Sequence, residues 1–247
     1  MPNAPDAIIL CGGAGLRLKS VTGEIPKSLA RIGKRPFLEI LLSQLQRHRF
    51  HRVILAVGYH RDLIRSHFGD QAHRVKIFYS IESTPLGTGG ALRNALGLID
   101  SNAALIMNGD SYTDADLRSF STEHQNTGAD LSVLVVRGDG RTDCGLVSVD
   151  DNGKVLGFKE KQSALDKQFV NAGIYMASKR ILSEIPTGTP VSLEAELLPR
   201  WLAEGKQVRA FQHSGRCIDI GTPERYRNAQ VTLATAEALG EREGPRA

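Results

Sequence analysis

The chain of 247 residues is poor in cysteine and aromatic side chains. Its three cysteines, Cys11, Cys144 and Cys217, are far apart and odd in number. That spacing suits neither a disulfide framework nor a zinc site, so reduced thiols in a cytoplasm are expected. Aromatic residues make up 6 % and are not interleaved with basic ones. The formal net charge is only +4 and is dispersed along the chain. Both features argue against a nucleic-acid surface, and the mildly basic balance suits a small anionic substrate. No apolar run approaches the roughly 20 residues of a membrane-spanning helix. Met1 to Asp6 lacks a basic stretch followed by an apolar one, so no signal peptide is expected there. The seven histidines show no metal-ligand spacing on one helix face, and none is expected to serve as a catalytic base.

What is present is ordinary globular composition, 41 % apolar and 23 % charged. Ala7 to Leu10 is short and apolar, as a buried strand would be. Gly12, Gly13 and Gly15 follow, then Arg17 and Lys27. Successive backbone N–H groups in a glycine-rich turn form a concavity for an anion. Glycine lets that backbone come close to a ligand, and the two cations suit a polyphosphate. The loop is neither a Walker A motif nor a G-x-G-x-x-G fingerprint. The working expectation is a nucleoside triphosphate site.

Further strands are read at Arg52–Val57, Val75–Tyr79 and Ala103–Met107, with helices at Phe37–Leu45, Asp62–Phe68 and Ala91–Leu98. Pro85 to Gly90 reads as a second glycine-rich loop. Four strand–helix alternations in about 110 residues imply an α/β fold, a Rossmann-like three-layer α/β/α sandwich with a mixed, mostly parallel central sheet. Ligands in such sheets bind beyond the carboxyl ends of the strands. Gly12–Arg17, Gly58–His60 and Asn108–Asp110 all fall at such ends. The second half reads as strands at Asp130–Val136, Gly145–Val149, Val155–Phe158, Val170–Met176 and Gln207–Gln212. Asn152-Gly153 marks a hairpin, and Ser192 caps a helix. This half reads as an antiparallel extension of the same sheet. A single domain over residues 1–247 is therefore expected, with a core from about 6 to 236 and a polar tail over 237–247.

Asp110 follows an apolar strand, and Asp219 sits between Ile218 and Ile220. Mg²⁺ prefers one or two carboxylates plus substrate phosphates, so these two are the candidate metal ligands. The alternative for each is a buried aspartate satisfied by backbone N–H groups, and the two together with a cationic glycine loop weaken it. Glu160 and Lys161 follow a strand directly and read as ligands or as a salt-bridged surface pair.

Taken together, Leu10-Cys-Gly-Gly-Ala-Gly-Leu-Arg-Leu18 with Ile25-Pro-Lys27 resembles the signature of the sugar-1-phosphate nucleotidylyltransferases. So do Pro85-Leu-Gly-Thr-Gly-Gly90, Asn108-Gly-Asp110, Phe158-Lys-Glu-Lys161, Asn171-Ala-Gly173 and Asp219-Ile-Gly-Thr-Pro223. These motifs keep the family's order from residue 7 to about 230. The nearest resemblance is to guanylyltransferases acting on D-glycero-α-D-manno-heptose 1-phosphate. Cys11 and Leu16 depart from the family's usual alanine and threonine or serine, and Leu16 removes a hydroxyl. A C-terminal β-helix of the kind found in some relatives is not expected.

The resemblance implies that a sugar 1-phosphate oxygen attacks the α-phosphorus of GTP, with Mg²⁺ as cofactor and pyrophosphate leaving. The product would be a GDP-heptose for a bacterial surface polysaccharide. Arg17 would hold the β/γ-phosphates, Lys27 would neutralise charge near the α-phosphate, and Asp110 and Asp219 would hold the metal. The nucleotide would lie against Leu10, Gly12, Gly13, Ala14, Gly15, Pro85, Gly87, Thr88 and Gly109. Lys161 would hold the sugar phosphate, while Glu160, Asn171, Gly145 and Gly173 face sugar hydroxyls. Glu82 is placed to accept from guanine N1–H and N2–H₂, which favours GTP. Some uridylyl members carry glutamate there too, so a mannose 1-phosphate guanylyltransferase or a uridylyl- or cytidylyltransferase stands as the alternative. A glycosyltransferase of similar fold has no pyrophosphate to expel, which speaks against it. Neither nucleic acid nor membrane is an expected partner, and a homodimer is the expected assembly.

Overall fold

The computed structural model describes residues 5–13, 15–138, 140, 143–163 and 168–240, with the backbone alone for Lys161 and residues 234–240. The main strands are β1 (Asp6–Leu10), β2 (Arg52–Val57), β3 (Val75–Ile81), β4 (Ala103–Asn108) and β5 (Leu131–Arg137). They continue as β6 (Cys144–Val149), β7 (Val155–Gln162), β8 (Phe169–Ser178) and β9 (Val208–His213). The longer helices are α1 (Phe37–Arg47), α2 (Arg61–Phe68), α3 (Gly87–Ala95) and α4 (Leu117–Thr127). After them come α5 (Leu198–Ala203) and α6 (Pro223–Gly240). Among the described residues no helix is long and apolar enough to cross a membrane.

The nine main strands and Gln71–Ala72 form one ten-stranded sheet in the order β7-β6-β8-β4-β1-β2-β3, with Gln71–Ala72 at the β3 edge. β5 pairs with β8, and β9 pairs with β5. The pairings make β1 to β6 and β9 point one way, and β7, β8 and Gln71–Ala72 the other. Seven strands against three make the sheet mixed and mostly parallel.

Alternate side chains of the central strands face opposite layers. Ala7, Ile9, Val53, Leu55, Leu105 and Met107 pack under α1, α2, α4 and α6. Ile8, Ile54, Ala56, Ala104 and Ile106 pack under α3 and α5. Burial on both faces is why these strands read as continuous apolar runs rather than as alternating ones.

Several local readings change. Gly87–Gly90 is not a free loop but the first turn of α3. Helix-opening N–H groups lack partners inside the helix. Here Gly89 and Gly90 donate to the Val191 carbonyl at 2.9 and 3.2 Å. β7 runs through Glu160 and Lys161 instead of stopping before them. Ser192 caps its helix as expected, accepting from Ala195 N–H at 3.1 Å, but the first turn, Leu193–Leu197, is a π-helix. The final helix continues to Gly240, into the stretch read as a polar tail.

Asp6 anchors the start of β1. Only 2 % exposed, it accepts from Arg52 at 2.8 Å and from the N–H groups of Asp100 and Ser101 at 2.7 and 3.0 Å. Removing the carboxylate leaves these donors without their acceptor. We expect Asp6→Ala to lower the unfolding free energy by about 3 kcal/mol in urea denaturation. A change below about 1 kcal/mol would show that water replaces the carboxylate.

Candidate active site

The site begins where β1 and β4 end side by side. Leu10 lies beside Asn108 in the parallel register. Beyond them, Gly109 N–H donates to the Leu10 carbonyl at 3.0 Å, and Cys11 N–H donates to the Ala56 carbonyl at 2.8 Å. A methyl group on Gly109 would lie 2.6 Å from that Leu10 oxygen, so only glycine lets the two chain exits meet. This contact sets the glycine loop against Asn108-Gly-Asp110.

A second device brings in Asp219. Ser111–Thr113 pairs antiparallel with Cys217–Asp219, and Asp219 stands opposite Ser111. Ile220 N–H donates to the Asp110 carbonyl at 2.9 Å. Both aspartates thus reach one end of a small ribbon, although they are far apart in sequence.

The cations meet them there. The Lys27 ammonium pairs with the Asp110 carboxylate, whose other oxygen accepts from Ser111 Oγ at 3.1 Å. Asp219 Oδ1 accepts from Gly221 N–H at 2.8 Å. A methyl on Gly221 would lie 2.8 Å from Asp219 Oδ1 and 3.6 Å from both Arg17 Nη2 and Lys27 Nζ. One backbone position therefore touches a candidate metal ligand and both cations.

Two residues absent from the sequence reading complete this cluster. Arg17 donates to Asp143 at 3.1 Å. Asp143 also takes Arg225, which reaches Asp219 at 3.2 Å. Burial works against the Asp143 carboxylate, but Arg225 and Arg17 outweigh it and hold its pKa below the usual range. Arg225 follows the Asp219-Ile-Gly-Thr-Pro223 motif by two residues, and that spacing from a named motif was the available signal. Asp143 carried none. Burial pushes the Cys11 thiol far above its ordinary pKa, so it is packing rather than a nucleophile.

Two clefts open from this cluster. The first, about 550 Å³, is lined by Leu10, Gly12, Gly13, Gly15, Gly109 and Lys27 on one side. Glu82, Pro85, Gly87 and Thr88 line the other. The second, about 470 Å³, is lined by Gly145, Glu160, Asn171, Gly173 and Asp219. Arg17, Asn108, Asp110 and Gly221 line both. Ala14 and the Lys161 side chain lie outside the described residues, although the Lys161 backbone belongs to β7 beside Glu160.

Glu82 closes the far wall of the first cleft. Its Oε2 accepts from Leu86 N–H at 3.0 Å, while Oε1 stands against Gly12, where a methyl would lie 3.0 Å away. Burial raises its pKa above the ordinary carboxylate value, partly offset by the Leu86 hydrogen bond. The walls of the second cleft come from strand interiors. Asn171 Oδ1 accepts from Gly173 N–H at 2.9 Å, and Gly173 takes a φ of 73°.

The model of the nucleotidyl transferase family matches residues 6–236. The chain belongs to that family. It is 36 % identical over 228 residues to D-glycero-alpha-D-manno-heptose 1-phosphate guanylyltransferase of Aneurinibacillus thermoaerophilus, covering 92 % of this chain and 98 % of that one. It is 37 % identical over 221 residues to the protein of the same name from Campylobacter jejuni, covering 89 % and 96 %. The crystal structure of HddC from Yersinia pseudotuberculosis has a TM-score of 0.83 at 33 % identity, covering 93 % of this chain and all of that one. The same protein complexed with GMP-PN gives 0.82.

For a nucleotidyl transferase, the Leu10–Gly109 approach sets the distance between the glycine loop and Asp110. We expect Gly109→Ala to lower kcat about 100-fold, because a shift near 1 Å in reacting groups has that effect. Steady-state pyrophosphate release checks it. Turnover within threefold of the wild type would show that the two loops are positioned independently of this contact.

Proposed function

We propose that this nucleotidyl transferase joins GTP to D-glycero-α-D-manno-heptose 1-phosphate, giving GDP-heptose and pyrophosphate for a bacterial surface polysaccharide. The observation that carries the reading is the pair of clefts sharing Arg17, Asn108, Asp110 and Gly221, one of them walled by Glu82. Two substrates whose phosphates must meet need such a shared wall. The heptose and the guanine are the substrates named for relatives that match this chain over nearly their whole length.

In the reaction a sugar-phosphate oxygen forms a bond to the α-phosphorus of GTP. The bond from that phosphorus to the bridging oxygen breaks, and pyrophosphate leaves with the electron pair. Both reactants are already ionised, so positioning and charge compensation do most of the catalysis. The glycine loop and Arg17 hold the β- and γ-phosphates and stabilise the leaving pyrophosphate. Lys27 offsets the charge growing at the α-phosphate. Lys161 holds the sugar phosphate, and Glu160, Asn171 and the backbone at Gly145 and Gly173 meet the sugar hydroxyls. The whole chain acts as a single domain, in the cytoplasm.

Asp110 and Asp219 fit a Mg²⁺ site. They are two carboxylates at one ribbon end, both partly exposed, Asp110 lining both clefts and Asp219 the second. Among the described residues no group of three or more His, Cys, Asp and Glu forms a protein cage. This suits an ion that completes its coordination with substrate phosphates and water. When bound, Mg²⁺ would add positive charge at the phosphates. We expect Asp110→Ala to reduce Mg²⁺-dependent pyrophosphate release at least 1,000-fold with the fold intact by circular dichroism. Undiminished turnover would remove Asp110 from the metal site.

Ionised Glu82 offers acceptors to guanine N1–H and N2–H₂, which uracil, thymine and cytosine do not both present. The decisive experiment sets four triphosphates against several sugar 1-phosphates and scores pyrophosphate release. GTP with the heptose phosphate should lead, and Glu82→Gln should lower its kcat/KM about 100-fold while changing UTP little. Because burial raises the Glu82 pKa, the KM for GTP should climb as pH falls, and at a higher pH than an ordinary glutamate would require. Preference for UTP or CTP would overturn the guanylyl reading.

A further inference from the structure

The two clefts are also joined by a chain of hydrogen bonds whose middle members, Glu194 and Tyr175, no motif marks. Thr88, in the first turn of α3, lines the first cleft. Its hydroxyl accepts from Leu193 N–H at 2.8 Å and donates to Glu194 Oε2 at 2.6 Å. Asn171 lines the second cleft, and Glu194 itself stands in that cleft's wall. Its Nδ2 donates to the Tyr175 hydroxyl at 2.6 Å, and that hydroxyl donates to Glu194 Oε1 at 3.2 Å. Ser192 Oγ gives Oε2 a further contact at 3.3 Å.

The direction of each proton follows from the partners. A carboxylate only accepts, so both hydroxyls must donate to it. The two chains therefore run from opposite clefts into one side chain. Tyr175 is fully buried, and burial pushes its pKa well above the ordinary value, so its hydroxyl remains a donor. The Asn171 amide is pinned at both ends, by Tyr175 and by Gly173 N–H. Glu194 itself sits in the π-helical turn, a widened turn that recurs at functional sites.

We propose that Glu194 is a positioning residue that holds the nucleotide-side helix and the sugar-side asparagine in a fixed mutual geometry. One carboxylate oxygen fixes Thr88 and the other fixes Asn171 through Tyr175. The role is to align two bound substrates, not to touch the reacting atoms. It rests on the reading of the clefts as nucleotide and sugar-phosphate sites. Glutamine keeps the shape but replaces one acceptor with a donor, so it cannot serve both chains. Aspartate keeps the charge but is one methylene too short to reach both.

The test is a double-mutant cycle in kcat, with GTP affinity and melting temperature measured alongside. Glu194→Gln and Glu194→Asp should each lower kcat about 30-fold while GTP affinity stays within about threefold. Thr88→Val and Tyr175→Phe should each lower kcat about 30-fold as well, and the double variant should lose no more than either alone. On the Glu194→Gln background neither should have a further effect. Multiplying effects in the wild-type background, or wild-type turnover in Glu194→Gln, would overturn the proposal alone. So would a loss of GTP affinity and melting temperature in step with kcat, because that is the pattern of a structural residue. A wild-type protein that turns over no sugar 1-phosphate would overturn both this proposal and the functional reading beneath it.

Discussion

The site depends on one backbone register, that of Leu10 beside Asn108. Parallel strands present their carboxyl ends to the same side, so the chain exits of β1 and β4 share one rim. The hydrogen bond from Gly109 to the Leu10 carbonyl then draws those exits together. A slip of one residue would turn every side chain to the other face. Ile8 would leave the α3 layer, and Ala7 and Ile9 the α1 layer. The core on both faces therefore enforces the register, and the register places the glycine loop against Asp110. Packing energy spread over many apolar residues is thus converted into one short distance at the rim.

Around that rim the charges alternate. Lys27 faces Asp110, and Arg17, Asp143, Arg225 and Asp219 follow one another in a chain of pairs. Unit charges about 4 Å apart interact by about 4 kcal/mol at an effective dielectric of 20, so an unpaired member would be costly. The members are not equivalent. The Lys27 side chain is 15 % exposed and the Arg17 side chain 65 %. An exposed pair contributes about 0–1 kcal/mol. On the proposed function, Arg17 would therefore exchange Asp143 for a triphosphate at little cost, whereas Lys27 is already held by Asp110. Asp143 keeps its second partner, Arg225, after such an exchange.

Much of this was legible from residue order. Short apolar runs gave β1 to β4 because burial on both faces leaves no other composition. The glycine loop, Asp110, Asp219, Glu82 and Asn171 all line one or other of the two clefts. The misreadings share a cause, which is tertiary contact overriding local pattern. Gly87 to Gly90 read as a loop because glycine is a poor helix former. The Val191 carbonyl supplies the missing partner and makes it a helix start. Glu160 read as lying past a strand, whereas pairing with β6 extends β7 through it. Asp143, Arg225 and Glu194 act through partners tens of residues away, and no single-sequence period records such pairing. Glu194 was hidden further by the capping Ser192 beside it, which explained the local pattern well enough by itself.

The division of labour between the clefts follows from strand direction. β1 to β4 end at the rim, so they deliver loops there, and loops of bare backbone suit phosphates. β8 runs the other way. Ile174 pairs with Met107, so the residues before it overhang the end of β4 and reach the rim from a strand interior. There β8 changes neighbours, from β6 at Phe169 and Val170 to β4 from Ile174 onward. Its register with β5 shifts between Asn171 and Tyr175, and Gly173 takes a φ that other residues adopt only with strain. Asn171 still pairs with Val135 of β5, but the break takes Ala172 and Gly173 out of that ladder, and all three line the second cleft. Side chains on a rigid strand are held more precisely than those on loops. Hydroxyl recognition in a sugar demands that precision, because epimers differ only in where one oxygen points. On the proposed function, an antiparallel strand laid against the parallel half would supply sugar specificity without disturbing the phosphate loops, and changes of sugar would be confined to β6, β7 and β8.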